Sequence, residues 1–168
     1  MAKNILILAA HPHIETSGAC GTLLGAVKDI ENVDVIDLYK TPFTTENYLE
    51  PVKKADTLVL LFPFWWGAAP SKMKEWIDTF MLGFVDNPGM KDKELLVVVT
   101  TGAPEEEYHA GGSEQFTVDE LLRPYQFMGI YSQMKYLKPF VVYGTMLPGA
   151  DERIDRAALE LKARIENL

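Results

Sequence analysis

Ala55 to Met81 read ADTLVLLFPFWWGAAPSKMKEWIDTFM, and this stretch decides the fold. It opens on an unbroken apolar run, Leu58 to Phe62, without the alternation of a strand that has one wet face. A strand covered on both sides, as in a parallel sheet, reads this way. Pro63 ends the run, because proline has no N–H to give a central ladder. Phe64, Trp65, Trp66 and Gly67 follow, then two alanines and Pro70. Ser71 is placed to cap a helix in which Met73, Trp76, Ile77, Phe80 and Met81 recur at helical spacing. Two tryptophans therefore stand between the carboxyl end of a strand and the next helix, the edge at which open α/β sheets bind ligands. Aromatic side chains there suit a flat aromatic ligand, or equally a core or an interface.

Outward from this stretch, Ile5 to Leu8 and Leu95 to Val99 repeat the doubly covered pattern. Val33 to Leu38 reads as a shorter strand behind a tight turn at Glu31-Asn32, and Tyr136 to Tyr143 as a fifth. Helices fall between them. One starts at Ser17, with Cys20, Leu23, Leu24, Val27 and Ile30 on one face. Thr41 to Glu50 reads as irregular, with Pro51 opening a short helix. Thr117 and Glu120 make a capping box, Phe116 and Leu121 a hydrophobic staple, and Pro124 should kink or restart the helix they begin. Asp151 caps a last helix whose Ile154, Ala157, Ala158, Leu161 and Ile165 form one stripe. Gly83 to Lys93 and Thr101 to Gln115 read as loops, the second of a length that is usually functional.

Short buried strands alternating with helices predict an α/β, doubly wound, three-layer sandwich. Five strands in this length favour one domain over residues 1–168, with a parallel sheet of order 2-1-3-4-5, the flavodoxin-like arrangement, and helices on both faces. The larger dinucleotide-binding fold is disfavoured further, since AAHPHIETSGAC at 9–20 contains no G-x-G-x-x-G. Any phosphate is then left to hydroxyls, a histidine and a helix end.

Composition narrows the function. A net charge of −8 argues against nucleic acid, which requires a basic footprint. No apolar run is long enough to span a membrane, and no signal-peptide pattern follows Lys3. The single cysteine, Cys20, permits no internal disulfide and fits a reducing, cytoplasmic setting. Histidines at 11, 13 and 109 lack ligand spacing, so no metal site is expected.

Three loops leave the carboxyl ends of strands 1, 3 and 4 and converge at the switch point of this topology. The first offers His11, Thr16, Ser17 and the amides of Gly18, Ala19 and Cys20, a helix end suited to phosphate, although Ser17 serves equally as a simple cap. The third begins Thr100-Thr101-Gly102-Ala103, small residues whose amides can approach a ligand edge, and Tyr108 lies within its reach. Glu105, Glu106 and Glu107 read as a solvated run. There is no G-x-S-x-G elbow for a serine hydrolase and no G-x-x-x-x-G-K for a P-loop.

Together these pieces resemble the flavodoxin-like NAD(P)H:quinone oxidoreductases, which include DT-diaphorase, and most of all the small ancillary oxidoreductases of glutathione-regulated potassium-efflux systems. The likeness rests on AHP at 10–12 with Ser17, DLY at 37–39, PFWWGAAPSKMKEWID at 63–78, TTG at 100–102, FTVDELLRPYQ from 116 and LKPF at 137–140. The resemblance implies a bound flavin and two-electron transfer from NADH or NADPH to a quinone-like acceptor. A phosphate site built from one loop and one helix end, in a chain too short for an added adenosine-binding segment, favours FMN over FAD. By position the resemblance puts His11, Ser17, Gly18, Ala19 and Cys20 around the phosphate. Phe64, Trp65, Trp66 and Gly67 border the isoalloxazine, while Thr100, Thr101, Gly102 and Ala103 meet its pyrimidine edge. Tyr108, with the Gly102 and Ala103 amides, then has the catalytic role. Three substitutions depart from the family pattern: Cys20 for Asn, Trp65 for Gln and Ala103 for Gly. A histidine expected beyond the tyrosine is replaced near Ser113 and Glu114. The resemblance also implies a homodimer, to which Trp65, Trp66 and the helix bearing Trp76 would add aromatic surface. A regulatory flavin-binding subunit, meeting a membrane only through a protein partner, is the alternative.

Overall fold

The computed structural model describes residues 2–85 and 89–168. Five parallel strands lie in the order β2-β1-β3-β4-β5: β1 Ile5–Ala9, β2 Val33–Asp37, β3 Thr57–Pro63, β4 Glu94–Thr100 and β5 Lys135–Tyr136. A sixth, β6 Phe140–Val142, also pairs with β4. The expected order therefore holds, and the expected fifth strand is divided in two.

The division has a local cause. Leu95 pairs with Tyr136 but Val98 pairs with Phe140, so three steps along β4 oppose four along the edge. One residue is extra between Leu137 and Pro139, a bulge where Pro139 could not have donated to the ladder in any case.

Period-two alternation divides the strands between two cores. Leu8, Leu60, Phe62, Val97 and Val99 face one side, under α2 (Thr45–Lys54), α3 (Ser71–Trp76) and α6 (Arg123–Tyr131). Ile7, Ala9, Val59, Leu61 and Val98 face the other, under α1 (Gly18–Val27) and α7 (Ala150–Glu166). Each fully buried aliphatic side chain contributes about 1.5–3 kcal/mol, which is why unbroken apolar runs are found where both faces are covered.

Between α3 and α4 (Leu82–Val85) the helix widens into a π turn over Ile77–Met81. Gly83 is thus helical, not the start of a loop, and positions 86–88 of the expected loop lie outside the described residues. Trp76 is wholly buried beside Tyr48 and Phe80, so it belongs to the core and adds nothing to an interface.

Three helix starts differ from expectation. α2 begins at Thr45 and carries Pro51 within it. Tyr48 and Val52, four residues apart and both buried, hold the helix in place despite the missing N–H. Ser71 is the first residue of α3 with no side-chain cap, and α7 is preceded by Gly149 at φ +75°, leaving Asp151 inside its first turn. The capping box forms as expected, the Thr117 side chain taking the Glu120 amide at 3.2 Å, and Pro124 restarts the chain as α6 after α5 (Val118–Leu121).

At the amino end of the sheet, Glu94 is held by Lys3 Nζ at 2.7 Å and by Thr57 Oγ1 at 3.0 Å. The carboxyl end is left to loops.

Candidate functional site

The chain after β1 first makes a 3-10 turn at Ile14–Thr16 and then enters α1. Gly21 allows this close return, since a Cβ there would stand 2.4 Å from the Ile14 carbonyl oxygen. Ser17 caps α1, its Oγ accepting from Cys20 N at 3.2 Å. That contact engages the Cys20 amide, and the free donors at this helix end are the N–H groups of Gly18 and Ala19, which meet no acceptor among the described residues.

His11 belongs to the same loop. Its Nδ1 accepts from His13 N at 3.1 Å, so the proton of the neutral ring is assigned to Nε2, which remains a donor. Burial lowers its pKa from the ordinary 6.5. The ring meets Trp65 edge-on at 5.7 Å, joining the first loop to the second.

The second loop is a tight reversal. Trp65 N donates to Ala68 O at 2.8 Å and Ala68 N to Trp65 O at 3.1 Å, with Trp66 at φ +56° and Gly67 at φ +70° between them. Positive φ at both central residues is the I′ turn, in which glycine is at ease and tryptophan is not. The left-handed conformation costs Trp66 about 1–2 kcal/mol. Its ring is nevertheless fully exposed at 103%, and Trp65 is 43% exposed, so neither aromatic is core. Phe64 N donates to Thr100 O at 2.8 Å, and Ala69 N to the hydroxyl of buried Tyr125 at 2.8 Å, which pins the loop at both ends.

The third loop starts from buried Thr100 and Thr101. Thr100 Oγ1 lies 3.6 Å from Cys20 Sγ, so the first and third loops share a buried wall. Thr101 Oγ1 donates to Ala103 O at 2.9 Å, while the N–H groups of Gly102 and Ala103 meet no acceptor among the described residues. Tyr108 is half-buried, and its ring lies 5.7 Å from Tyr143. Burial raises the Tyr108 pKa, and a side-chain bond with Thr101 partly offsets the rise. Its hydroxyl is therefore protonated at neutral pH. A cleft of about 520 Å³ opens beside it, lined by Thr117, Asp119, Lys138 and Tyr143 among others.

Glu107 is not simply solvated. Its carboxylate takes the Ser113 amide at 2.8 Å, and Glu114 N donates to its carbonyl at 3.3 Å. Gly112 closes that fold, where a Cβ would stand 2.3 Å from the Glu107 carbonyl oxygen. Ser113, Glu114 and His109 are exposed, so this region supplies no buried replacement for the missing histidine. Tyr125, Tyr143 and Thr145 join the site only in three dimensions, although Tyr125 stands inside the PYQ motif.

Burial pushes the Cys20 thiol up to about 11. In the folded protein at pH 8 its reaction with an aromatic disulfide reagent should be at least ~100-fold slower than in denaturant, because the thiolate is scarce and covered. A thiol titration with and without guanidinium checks this, and near-equal rates would contradict the buried placement.

Residues 3–165 match a family described as having a flavodoxin-like fold. The relative named "uncharacterized NAD(P)H oxidoreductase YrkL", from Bacillus subtilis, is 33% identical over 152 residues, 84% of this chain and 86% of that protein. The glutathione-regulated potassium-efflux system ancillary protein KefG of Pectobacterium atrosepticum is 33% identical over 83% of this chain and 81% of its own. Among solved structures, general stress protein 14 of Treponema denticola, in complex with FMN, superposes with a TM-score of 0.89 at 25% identity, covering 98% of both chains. An NADPH-quinone reductase from P. pentosaceus gives 0.85 at 28% identity, covering 100% of this chain and 99% of that one.

Proposed function

The chain belongs to the family of flavodoxin-like NAD(P)H oxidoreductases, and from that premise we propose that it is an FMN-dependent NAD(P)H:quinone oxidoreductase. The observation that carries the reading is the presence of two sets of open amides, Gly18 with Ala19 at the start of α1 and Gly102 with Ala103 after β4, in two loops joined by the Cys20–Thr100 contact. One set suits a phosphate and the other a ring edge that gains negative charge. The FMN complex of the Treponema relative supports the cofactor, and likeness to the P. pentosaceus NADPH-quinone reductase supports the reaction class.

The chemistry that FMN would supply when bound is two-electron transfer between a nicotinamide and an acceptor in alternating half-reactions. The residues of this chain have narrower tasks. Gly18 and Ala19 N–H, the Ser17 hydroxyl and His11 Nε2–H would hold the phosphate at the positive end of α1. Phe64, Trp65, Trp66 and Gly67 border the ring system and exclude water from it. Gly102 and Ala103 present fixed donors where charge develops, which costs no reorganisation during reaction. Tyr108, protonated at neutral pH and lining the cleft, would donate a hydrogen bond to an acceptor's oxygen.

Likeness to KefG favours a second reading, a flavin-binding ancillary subunit that regulates a potassium-efflux protein with little turnover of its own. Two measurements separate them. Heat-released cofactor should be FMN by mass spectrometry, and the protein should oxidise NADH or NADPH steadily when a quinone is present. FAD alone, or a protein that FMN cannot reconstitute, rejects the cofactor. FMN with no quinone-dependent oxidation rejects the enzyme and leaves the ancillary role.

A further inference from the structure

We propose that Thr145 and Arg153 are positioning residues of the redox site, which fix the Gly102 amide from behind through the segment that follows β6; the inference rests on the FMN reading above. After β4 the chain is tied to β6, Thr101 N donating to Val142 O at 2.9 Å. It then reverses at Gly144, φ +68°, and crosses the same turn again. Gly144 N donates to Ala103 O at 2.9 Å. Thr145 gives the Thr101 carbonyl two bonds, from its N at 2.9 Å and its Oγ1 at 3.0 Å.

Two donors saturate that carbonyl oxygen. The Thr101 C=O and the Gly102 N–H belong to one planar trans peptide and point in opposite directions. Fixing the oxygen towards Thr145 therefore aims the Gly102 N–H away from residues 144–145, and it is this N–H that is left without an acceptor among the described residues. Met146 then lies over Gly102, its sulfur 2.9 Å from where a Cβ would stand, so a larger residue at 102 would displace the cover.

Arg153, on the first turn of α7, anchors the crossing segment. Its Nη2 donates to Gly144 O and to Pro148 O, both at 3.1 Å, and so clamps the segment at its two ends. Both side chains are engaged on backbone carbonyls. Their effect passes through one peptide plane, and it would matter more for reduced FMN, whose added negative charge that donor would face, than for oxidised FMN.

The test uses the FMN-loaded protein and compares Thr145→Val, Arg153→Met and Arg153→Lys. The readings are the dissociation constant of oxidised FMN and the midpoint potential of the bound cofactor. Thr145→Val keeps the shape and the backbone bond and removes one of the two bonds to Thr101 O. It and Arg153→Met are expected to weaken reduced FMN about tenfold more than oxidised FMN. For a two-electron couple that is about 30 mV towards negative potential. Arg153→Lys, which retains the charge and several donors on one nitrogen but places them on a shorter side chain, should show a smaller shift. Unchanged potentials in folded Thr145→Val and Arg153→Lys overturn the proposal. Equal loss of oxidised and reduced FMN also overturns it, because that is what general support of the fold would give. Should Arg153→Met fail to fold, Thr145→Val decides alone. A wild-type protein that binds no flavin refutes the functional reading itself, and it does so before any variant is compared.

Discussion

Replacing Ser17 and His11 together by alanine should weaken FMN binding by about 3 kcal/mol, more than a hundredfold, and leave riboflavin binding within a few-fold of wild type. The reason lies in what each side chain has free. Ser17 Oγ accepts from Cys20 N and keeps its O–H to donate, while His11 accepts on Nδ1 and keeps Nε2–H. Donors to a phosphate are charge-assisted, the stronger class of hydrogen bond, and riboflavin lacks the group they address. Ser17→Ala also removes the cap of α1, at about 1 kcal/mol of stability. The riboflavin arm and a melting curve separate that loss from the loss at the phosphate. The pH dependence supplies a second check. Burial lowers the His11 pKa in the free protein, and a phosphate dianion beside the ring would raise it. The complex then holds more protons than the free protein between those two values. FMN affinity should therefore rise as pH falls through that window, and His11→Ala should flatten the dependence. Equal losses for FMN and riboflavin in the double variant would move the phosphate elsewhere.

The sheet and both cores were legible because parallel strands are buried on each face, and runs such as Leu58 to Phe62 carry that requirement residue by residue. The helix through Pro51 was not. A local rule forbids proline there, and only the packing of Tyr48 and Val52 against the sheet overrides it. The bulge before Pro139 was half visible: the proline announced an interruption, whereas the register that defines it depends on β4. At the site, the residue types stood in the sequence but their free atoms did not. Nothing in SGAC reveals that Ser17 occupies the Cys20 amide while Gly18 and Ala19 stay open. Nothing local in Thr145 reveals a bond to a carbonyl 44 residues earlier. Trp66 is a mixed case: Gly67 stands in the sequence as a residue suited to a turn, but the positive φ of the tryptophan before it does not.

Trp65→Glu is expected to convert a homodimer into a monomer at micromolar concentration and to lower quinone reductase turnover at least tenfold. Homodimerisation is a proposal that two exposures support. Trp65 and Trp66 stand out from the turn after β3 at 43% and 103%, and the outer face of α6 shows Phe127, Ile130 and Tyr131 at 68%, 63% and 61%. The two patches belong to one packed unit, because Gly67 faces Leu121 and Ala69 N bonds Tyr125. Exposed large apolar side chains, with Trp66 held out on a strained backbone, are what a symmetric interface repeats on both copies. An unpaired carboxylate buried there would cost about 3–5 kcal/mol, raising the dimer dissociation constant by roughly two to four orders of magnitude. Because the Trp65 ring also meets His11, FMN content must be measured alongside light scattering. Loss of dimer with FMN retained and turnover reduced would place the working site at the boundary between subunits. A monomeric wild type with full activity would refute the dimer. A dimer that tolerates the charge at unchanged activity would remove Trp65 from its interface and leave α6 as the surface to alter next.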